Sequence, residues 1–208
     1  MFAPRSGGPL LVTAAALLLV GGLGAVAVLP FPLPVLVLWV ALCAVWTFSA
    51  WFFRDPERSP GEGIVSAADG RVRAVEERGD ELLISVFMNV TDVHVNRLPL
   101  TGTFERVGDA GAGHRAAYRP DADRNVARTY ELSTALGPVR IVQITGVLAR
   151  RLVSFVGPGT TRQKGERFGM IVLGSRVDVF LPRSRVVPTV RAGDRVLAGS
   201  TTIAREPR

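Results

Sequence analysis

Between Arg5 and Arg54 the chain carries no charged residue. Residues 9–29 are almost entirely Leu, Val, Ala and Gly, and residues 33–53 form a second apolar run containing Trp39, Trp46, Trp51, Phe52 and Phe53. Each run is long enough, as a helix, to cross the roughly 30 Å hydrocarbon layer of a bilayer. Pro30, Pro32 and Pro34 interrupt the helical pattern between them and predict a tight turn, hence a transmembrane helical hairpin over residues 1–54. The alternative, a signal peptide followed by a core helix, fits less well, because the second run is too long and too aromatic at its border. Arginines flank the hairpin at Arg5, Arg54 and Arg58, while the turn is uncharged. That asymmetry places both ends on the cytoplasmic side of the cell (inner) membrane.

The 208 residues leave room for one modest domain beyond the hairpin. Residues 55–64, DPERSPGEGI, read as a Pro/Gly-rich linker. From residue 65 to 208 the pattern is of short strands separated by turn residues. Strands are expected at residues 65–67, 71–77, 82–87, 93–98, 102–107, 127–132, 139–145, 170–173, 176–181, 186–190, 195–197 and 201–204. One helical turn is expected at residues 146–153, where Leu148, Leu152 and Val153 fall on one face. Residues 190–199 have the look of a hammerhead hairpin. The expected fold is therefore mainly β: a compact β domain with lipoyl/barrel-hybrid-like hairpins, preceded by the membrane hairpin.

The formal charge of +7 comes almost wholly from arginine, since Lys164 is the only lysine. Arginine binds phosphate and carboxylate in a bidentate fashion, so a basic face towards anionic lipid is a natural use. No basic-aromatic interleaving or nucleic-acid motif is present, and no nucleic-acid partner is expected. The single cysteine, Cys43, lies in an apolar run and reads as a small buried hydrophobe. One cysteine rules out an intrachain disulfide or a thiolate zinc site, and two histidines suggest no metal.

The chemistry-bearing candidates are few. Gly174 and Ser175 sit between two apolar runs, residues 170–173 and 177–181, so a hydroxyl follows the most flexible peptide of the stretch. His94 lies in FMNVTDVHVNRLP, residues 87–99, and is one of two side chains suited to proton transfer near neutral pH. Asp69 precedes Gly70, which as a dipeptide is an ordinary turn signal. His114 sits in a Gly-rich loop. The arginine-dense residues 123–129 could contact a phosphate or carboxylate, and residues 143–151 carry an apolar strand into the pair Arg150 and Arg151.

Residues 165–182, GERFGMIVLGSRVDVFLP, together with residues 66–71, 87–99 and 143–151, resemble the phosphatidylserine decarboxylase proenzymes, in their short bacterial and archaeal (type A) branch. The resemblance implies self-cleavage at the Gly174–Ser175 bond into a β chain, residues 1–174, and an α chain, residues 175–208, held together as a heterodimer with room for a higher homo-oligomer. Ser175 then becomes a pyruvoyl group, the covalent cofactor, whose ketone takes the amine of membrane phosphatidylserine as a Schiff base and releases phosphatidylethanolamine after decarboxylation. It also implies roles for His94 and Asp69 in the cleavage machinery. Arg97 stands where the longer branch carries a second histidine, which leaves the cleavage base open. A self-made carbonyl suits a chain whose only lysine is Lys164, because pyridoxal phosphate needs an active-site lysine and a larger fold. Two other readings stay open: a non-catalytic membrane-tethered β-barrel adaptor of an envelope assembly, and a serine hydrolase using Ser175, His94 and Asp69. The second lacks a Gly-x-Ser-x-Gly elbow.

Overall fold

A computed structural model describes residues 2–3, 7–26, 33–113, 115, 117, 124–146, 151–172 and 175–207. The chain divides into two compact units, Met1–Pro56 and Glu57–Arg208.

The first unit holds helices α1 (Gly7–Val26) and α2 (Leu33–Phe52), which pack against each other. Helix α2 is long and apolar enough to cross a membrane, and Leu33, Val37, Leu38, Val40 and Val45 are exposed on its surface. Such a surface is costly in water and suits a hydrocarbon surrounding. At its end the Arg54 guanidinium lies 4.3 Å from the Trp51 ring centroid and donates to the Trp51 carbonyl at 2.9 Å. The expected proline turn, residues 30–34, falls mostly outside the described residues.

The second unit is all β among its described residues, apart from a short 3-10 turn at Arg183–Arg185. Its strands are β1 (Ile64–Val65), β2 (Gly70–Arg78), β3 (Glu81–Met88), β4 (Val95–Arg97), β5 (Gly102–Ala110), β6 (Ala127–Thr134), β7 (Gly137–Thr145), β8 (Arg151–Ser154), β9 (Thr161–Arg162), β10 (Arg167–Val172), β11 (Ser175–Pro182), β12 (Val187–Pro188), β13 (Arg195–Val196) and β14 (Thr202–Arg205). An eight-stranded sheet runs β13-β2-β3-β11-β7-β6-β5-β9, and two three-stranded sheets run β4-β10-β8 and β1-β14-β12. All strand pairs are antiparallel. The alternation Leu82, Ile84, Val86, Met88 on β3 and Val177, Val179, Leu181 on β11 turns one face of the large sheet into the core, where Phe168 and Ile171 of β10 also lie. Phe104, Tyr130 and Phe168 meet there with ring centroids 5.1 to 6.2 Å apart.

One expected element is corrected. Over residues 146–153 no helix forms in the described part: Arg151–Ser154 is strand β8, paired with β10 through Val153↔Met170 and Leu152↔Ile171, and residues 147–150 lie outside the description. Tertiary pairing overrides the local helical spacing there. Across residues 190–199 the chain reverses, with Asp194 N donating to Arg191 O, but its arms pair elsewhere: β12 with β14 and β13 with β2. The stretch read as a linker is fastened to the β domain from residue 57 on, through Arg167 Nη2–Glu57 Oε1 (2.9 Å), Gly61 N–Gly199 O (3.0 Å) and Thr202 Oγ1–Glu62 O (2.8 Å).

A buried polar chain ties the eight-stranded sheet to the β4-β10-β8 sheet. Tyr130 Oη donates to Gln143 Oε1 (2.9 Å), Gln143 Nε2 to Asn96 Oδ1 (2.7 Å), and Asn96 Nδ2 approaches Met88 Sδ at 3.6 Å. Burial pushes the Tyr130 hydroxyl above its ordinary range, so it stays a neutral donor. Gly169 fits against this chain because it lacks a side chain. A Cβ there would meet Gln143 Nε2 and the Val153 carbonyl at 2.9 Å. Gly169→Ala should therefore destabilise the fold by about 1–3 kcal/mol, read as a lower denaturant midpoint at unchanged slope.

Candidate functional site

Ser175 is the first residue of β11, and the strand before it, β10, belongs to a different sheet. The chain thus leaves the β4-β10-β8 sheet and enters the large one across residues 173–174, which lie outside the described residues and include the candidate Gly174. Ser175 pairs with Met88 on β3 and with Thr145 on β7, so it is held on both sides. It is fully buried, and its Oγ has no hydrogen-bond partner among the described residues. A buried hydroxyl without a partner costs about 1–3 kcal/mol, and such groups concentrate where chemistry needs them.

His94 precedes β4 and is buried. Its carbonyl accepts from Ile171 N at 3.2 Å, which fixes it against β10 four residues before Ser175. Its Nδ1 lies 2.9 Å from the Asp92 carbonyl oxygen. A carbonyl can only accept, so Nδ1 carries the hydrogen, and in the neutral ring Nε2 is the basic nitrogen.

Asp69 is buried just before β2, and its carboxylate is held on two sides. Arg58 forms a bidentate pair with it, Nη2–Oδ2 at 2.8 Å with Nη1 on Oδ1, and Ala198 N donates to Oδ1 at 2.8 Å. Arg58 Nη1 also reaches the Ala198 carbonyl at 3.0 Å. Asp69 therefore joins the start of the domain to the segment after β13. Gly70, next to it, has φ +143°, and a Cβ there would lie 2.0 Å from the Phe87 carbonyl oxygen. Only glycine lets the Asp69 loop approach β3 this closely.

Arg97 is buried in β4, where Nη1 donates to the Gly165 carbonyl at 3.1 Å and its backbone N to Ala67 O at 3.0 Å. In this position it clamps two turns together. Of the arginine-dense segment, Arg128 is bidentate with Asp109, Nη2–Oδ2 at 2.7 Å, and the hydrogen bond holds the Asp109 carboxyl below the usual carboxylate range. His114 and Arg150 lie outside the described residues, and Arg151 is exposed on β8. Asn125 bonds next to the site: its Nδ2 donates to the carbonyl of Thr145, the ladder partner of Ser175, at 2.6 Å.

Two groups were not singled out by sequence. Arg176 and Asp178 follow Ser175 on β11 and face away from the core residues Val177 and Val179, yet both are buried. Arg176 Nη2 pairs with Asp178 Oδ2 at 2.9 Å, and Ser85 Oγ donates to Asp178 Oδ1 at 2.5 Å. The second group is the Tyr130–Gln143–Asn96 chain. Polar residues at inward strand positions were the available signal for the second group, whereas Arg176 and Asp178 alternate with core residues and read as a solvent face; without register the partners of neither could be paired.

The model of a family described as phosphatidylserine decarboxylase matches residues 46–204, which include Asp69, His94 and Ser175. The chain is 41% identical over 169 residues to a phosphatidylserine decarboxylase proenzyme of Thermobifida fusca, covering 80% of this chain and 77% of that one. It is 43% identical over 178 residues to a protein of the same name from Nitratidesulfovibrio vulgaris, covering 80% and 81%. With the Streptomyces coelicolor protein of that name the identity is 40% over 158 residues, covering 75% and 72%.

Proposed function

The chain belongs to the phosphatidylserine decarboxylase family, and on that premise we propose that it decarboxylates membrane phosphatidylserine to phosphatidylethanolamine with a pyruvoyl group made from Ser175. The observation that carries this reading is the state of Ser175: a fully buried hydroxyl without a hydrogen-bond partner among the described residues, at the junction of two sheets.

Self-cleavage starts from the chain's own atoms. Ser175 Oγ adds to the Gly174 carbonyl carbon and the peptide C–N bond breaks, leaving an ester to Oγ and a free amine. Loss of the Ser175 Cα proton expels the Gly174 carboxylate by β-elimination and leaves dehydroalanine. Its enamine tautomerises, water displaces ammonia, and residue 175 ends as a ketone. His94 Nε2 is the proposed group that takes the first proton, since the Asp92 carbonyl fixes the ring's tautomer. Asp69, locked by Arg58 and Ala198, supports the loop beside β3. The bound carbonyl supplies the electron sink for loss of carbon dioxide. Strand β11 stays laddered between β3 and β7, which keeps the α chain in place after the cut.

In this reading the two helices anchor the catalytic domain at the cytoplasmic face of the cell membrane, with Trp51 and Arg54 at the interface. An anchored domain works on headgroups without releasing the lipid. The purified protein should convert phosphatidylserine in mixed micelles to phosphatidylethanolamine and carbon dioxide. Borohydride, which reduces ketones, should abolish the activity. Full activity after borohydride treatment in the presence of substrate would contradict the carbonyl mechanism.

A further inference from the structure

Between β3 and β4 the chain turns at Asn89–Asp92, and this turn links the ladder partner of Ser175 to His94. It leaves β3 at Met88, which pairs with Ser175, and His94 stands two residues beyond Asp92. We propose that the Asp92 carboxylate is a positioning residue for self-cleavage, acting through His94. The proposal rests on the reading above in which His94 takes the first proton from Ser175.

The turn is closed in both directions. Asp92 N donates to the Asn89 carbonyl at 2.9 Å, and Asn89 N donates back to Asp92 Oδ2 at 2.8 Å. The other carboxylate oxygen, Oδ1, accepts from Arg195 Nη2 of β13 at 3.2 Å, so a side chain only 9% exposed has its charge compensated. Asn or Ser can close a turn of this kind without any charge. Charge-assisted hydrogen bonds are roughly twice as strong as neutral ones, so the carboxylate holds the turn more firmly than either would. A turn that only had to reverse the chain has no need of a buried charge and a cation from another strand.

The added rigidity serves the carbonyl of the same residue. Asp92 O accepts from His94 Nδ1 at 2.9 Å, and a hydrogen bond weakens steeply as its angle bends. Residue 92 is gripped at its nitrogen and at both carboxylate oxygens, which keeps that carbonyl aimed at the ring. Nδ1 therefore keeps its hydrogen, and Nε2 stays the basic nitrogen. Were the carbonyl to drift, the neutral ring could carry its hydrogen on Nε2 instead, and that nitrogen could no longer accept a proton.

The test uses the full chain, made by cell-free synthesis in detergent micelles so that the cut can be timed on a gel. Asp92→Ala should slow appearance of the α chain about tenfold or more, a part of the roughly 10²–10⁴-fold that a placed general base contributes. Asp92→Asn keeps an oxygen for Asn89 N and should restore most of the rate. Arg195→Met, at a side chain 66% exposed, is the milder variant: it removes the cation, keeps the turn, and should slow the cut by a factor of about two to five. A second readout separates positioning from support of the fold. In Ser175→Ala, which stays uncut, nitrogen NMR of isotope-labelled histidine should show His94 with its hydrogen on Nδ1. Adding Asp92→Ala should move hydrogen onto Nε2, and Asp92→Asn should restore the parent pattern. The chain has only two histidines, so His94→Gln assigns the signal. Cutting at the parent rate in Asp92→Ala would overturn the proposal. Slow cutting with the His94 tautomer unchanged would also overturn it, by marking a turn needed only for folding. Failure of the underlying reading is distinguishable: His94→Gln would then cut as fast as the parent, or the parent would not cut at all, while the tautomer in Ser175→Ala would still respond to residue 92.

Discussion

Ser175→Ala should leave the chain in one piece and remove all phosphatidylserine turnover, without loss of stability. The substitution deletes the oxygen that starts the acyl shift, so neither the cut nor the ketone can form. Relative to the uncut precursor, stability should hold or rise by about 1 kcal/mol, because the buried Oγ has no partner among the described residues and its removal relieves a desolvation cost. This pairing of total loss of function with an unmoved or raised Tm separates a reactive group from a structural one. Ser175→Cys keeps a nucleophile and should retain slow cleavage. The result to look for is a single band in Ser175→Ala beside two in the parent, with a thermal midpoint no lower than that of the parent's uncut precursor. A marked fall in Tm for Ser175→Ala would mean that Oγ is a fold-supporting group.

Asp178→Ala should be the most destabilising single change near the site. Asp178 accepts from Arg176 at 2.9 Å and Ser85 at 2.5 Å, and the side chains of the ion pair are 3% and 5% exposed. Removing the carboxylate leaves the Arg176 charge buried without it, which costs about 3–5 kcal/mol. That is a large share of the roughly 5–15 kcal/mol that holds a domain together. The paired change Arg176→Met/Asp178→Leu, which removes both charges, should recover most of the loss. Urea unfolding monitored at several wavelengths measures both. A cost below about 1 kcal/mol for Asp178→Ala would show that the pair is screened and incidental. In the proposed cut Arg176 would be the second residue of the α chain, and the same network would then hold the new chain end against β3 and β7.

The strands flanking Gly174 and Ser175 were legible because alternation and continuous apolar runs are local properties. That they belong to different sheets was not, since the partners of β11 lie on β3 and β7, far away in sequence, and those of β10 on β4 and β8. Residues 151–154 show the limit most directly: Leu148, Leu152 and Val153 have helical spacing, and only pairing with β10 makes this segment a strand. Asp69 was found through the resemblance, but its partner Arg58 sits in a Pro/Gly-rich segment that composition marks as passive linker. The Asp92–Arg195 pair was invisible for a similar reason, as residues 103 positions apart become neighbours only in the folded chain. His94 was legible as a candidate proton carrier from its type alone. Its tautomer needed the Asp92 carbonyl.

The central claim is that Ser175 becomes the cofactor, and intact mass measurement of the purified protein under denaturing conditions tests it most directly. Two chains should appear, residues 1–174 and residues 175–208, the smaller one beginning with a ketone and resistant to amino-terminal sequencing. A protein that decarboxylates phosphatidylserine as a single uncut chain of 208 residues would contradict the account.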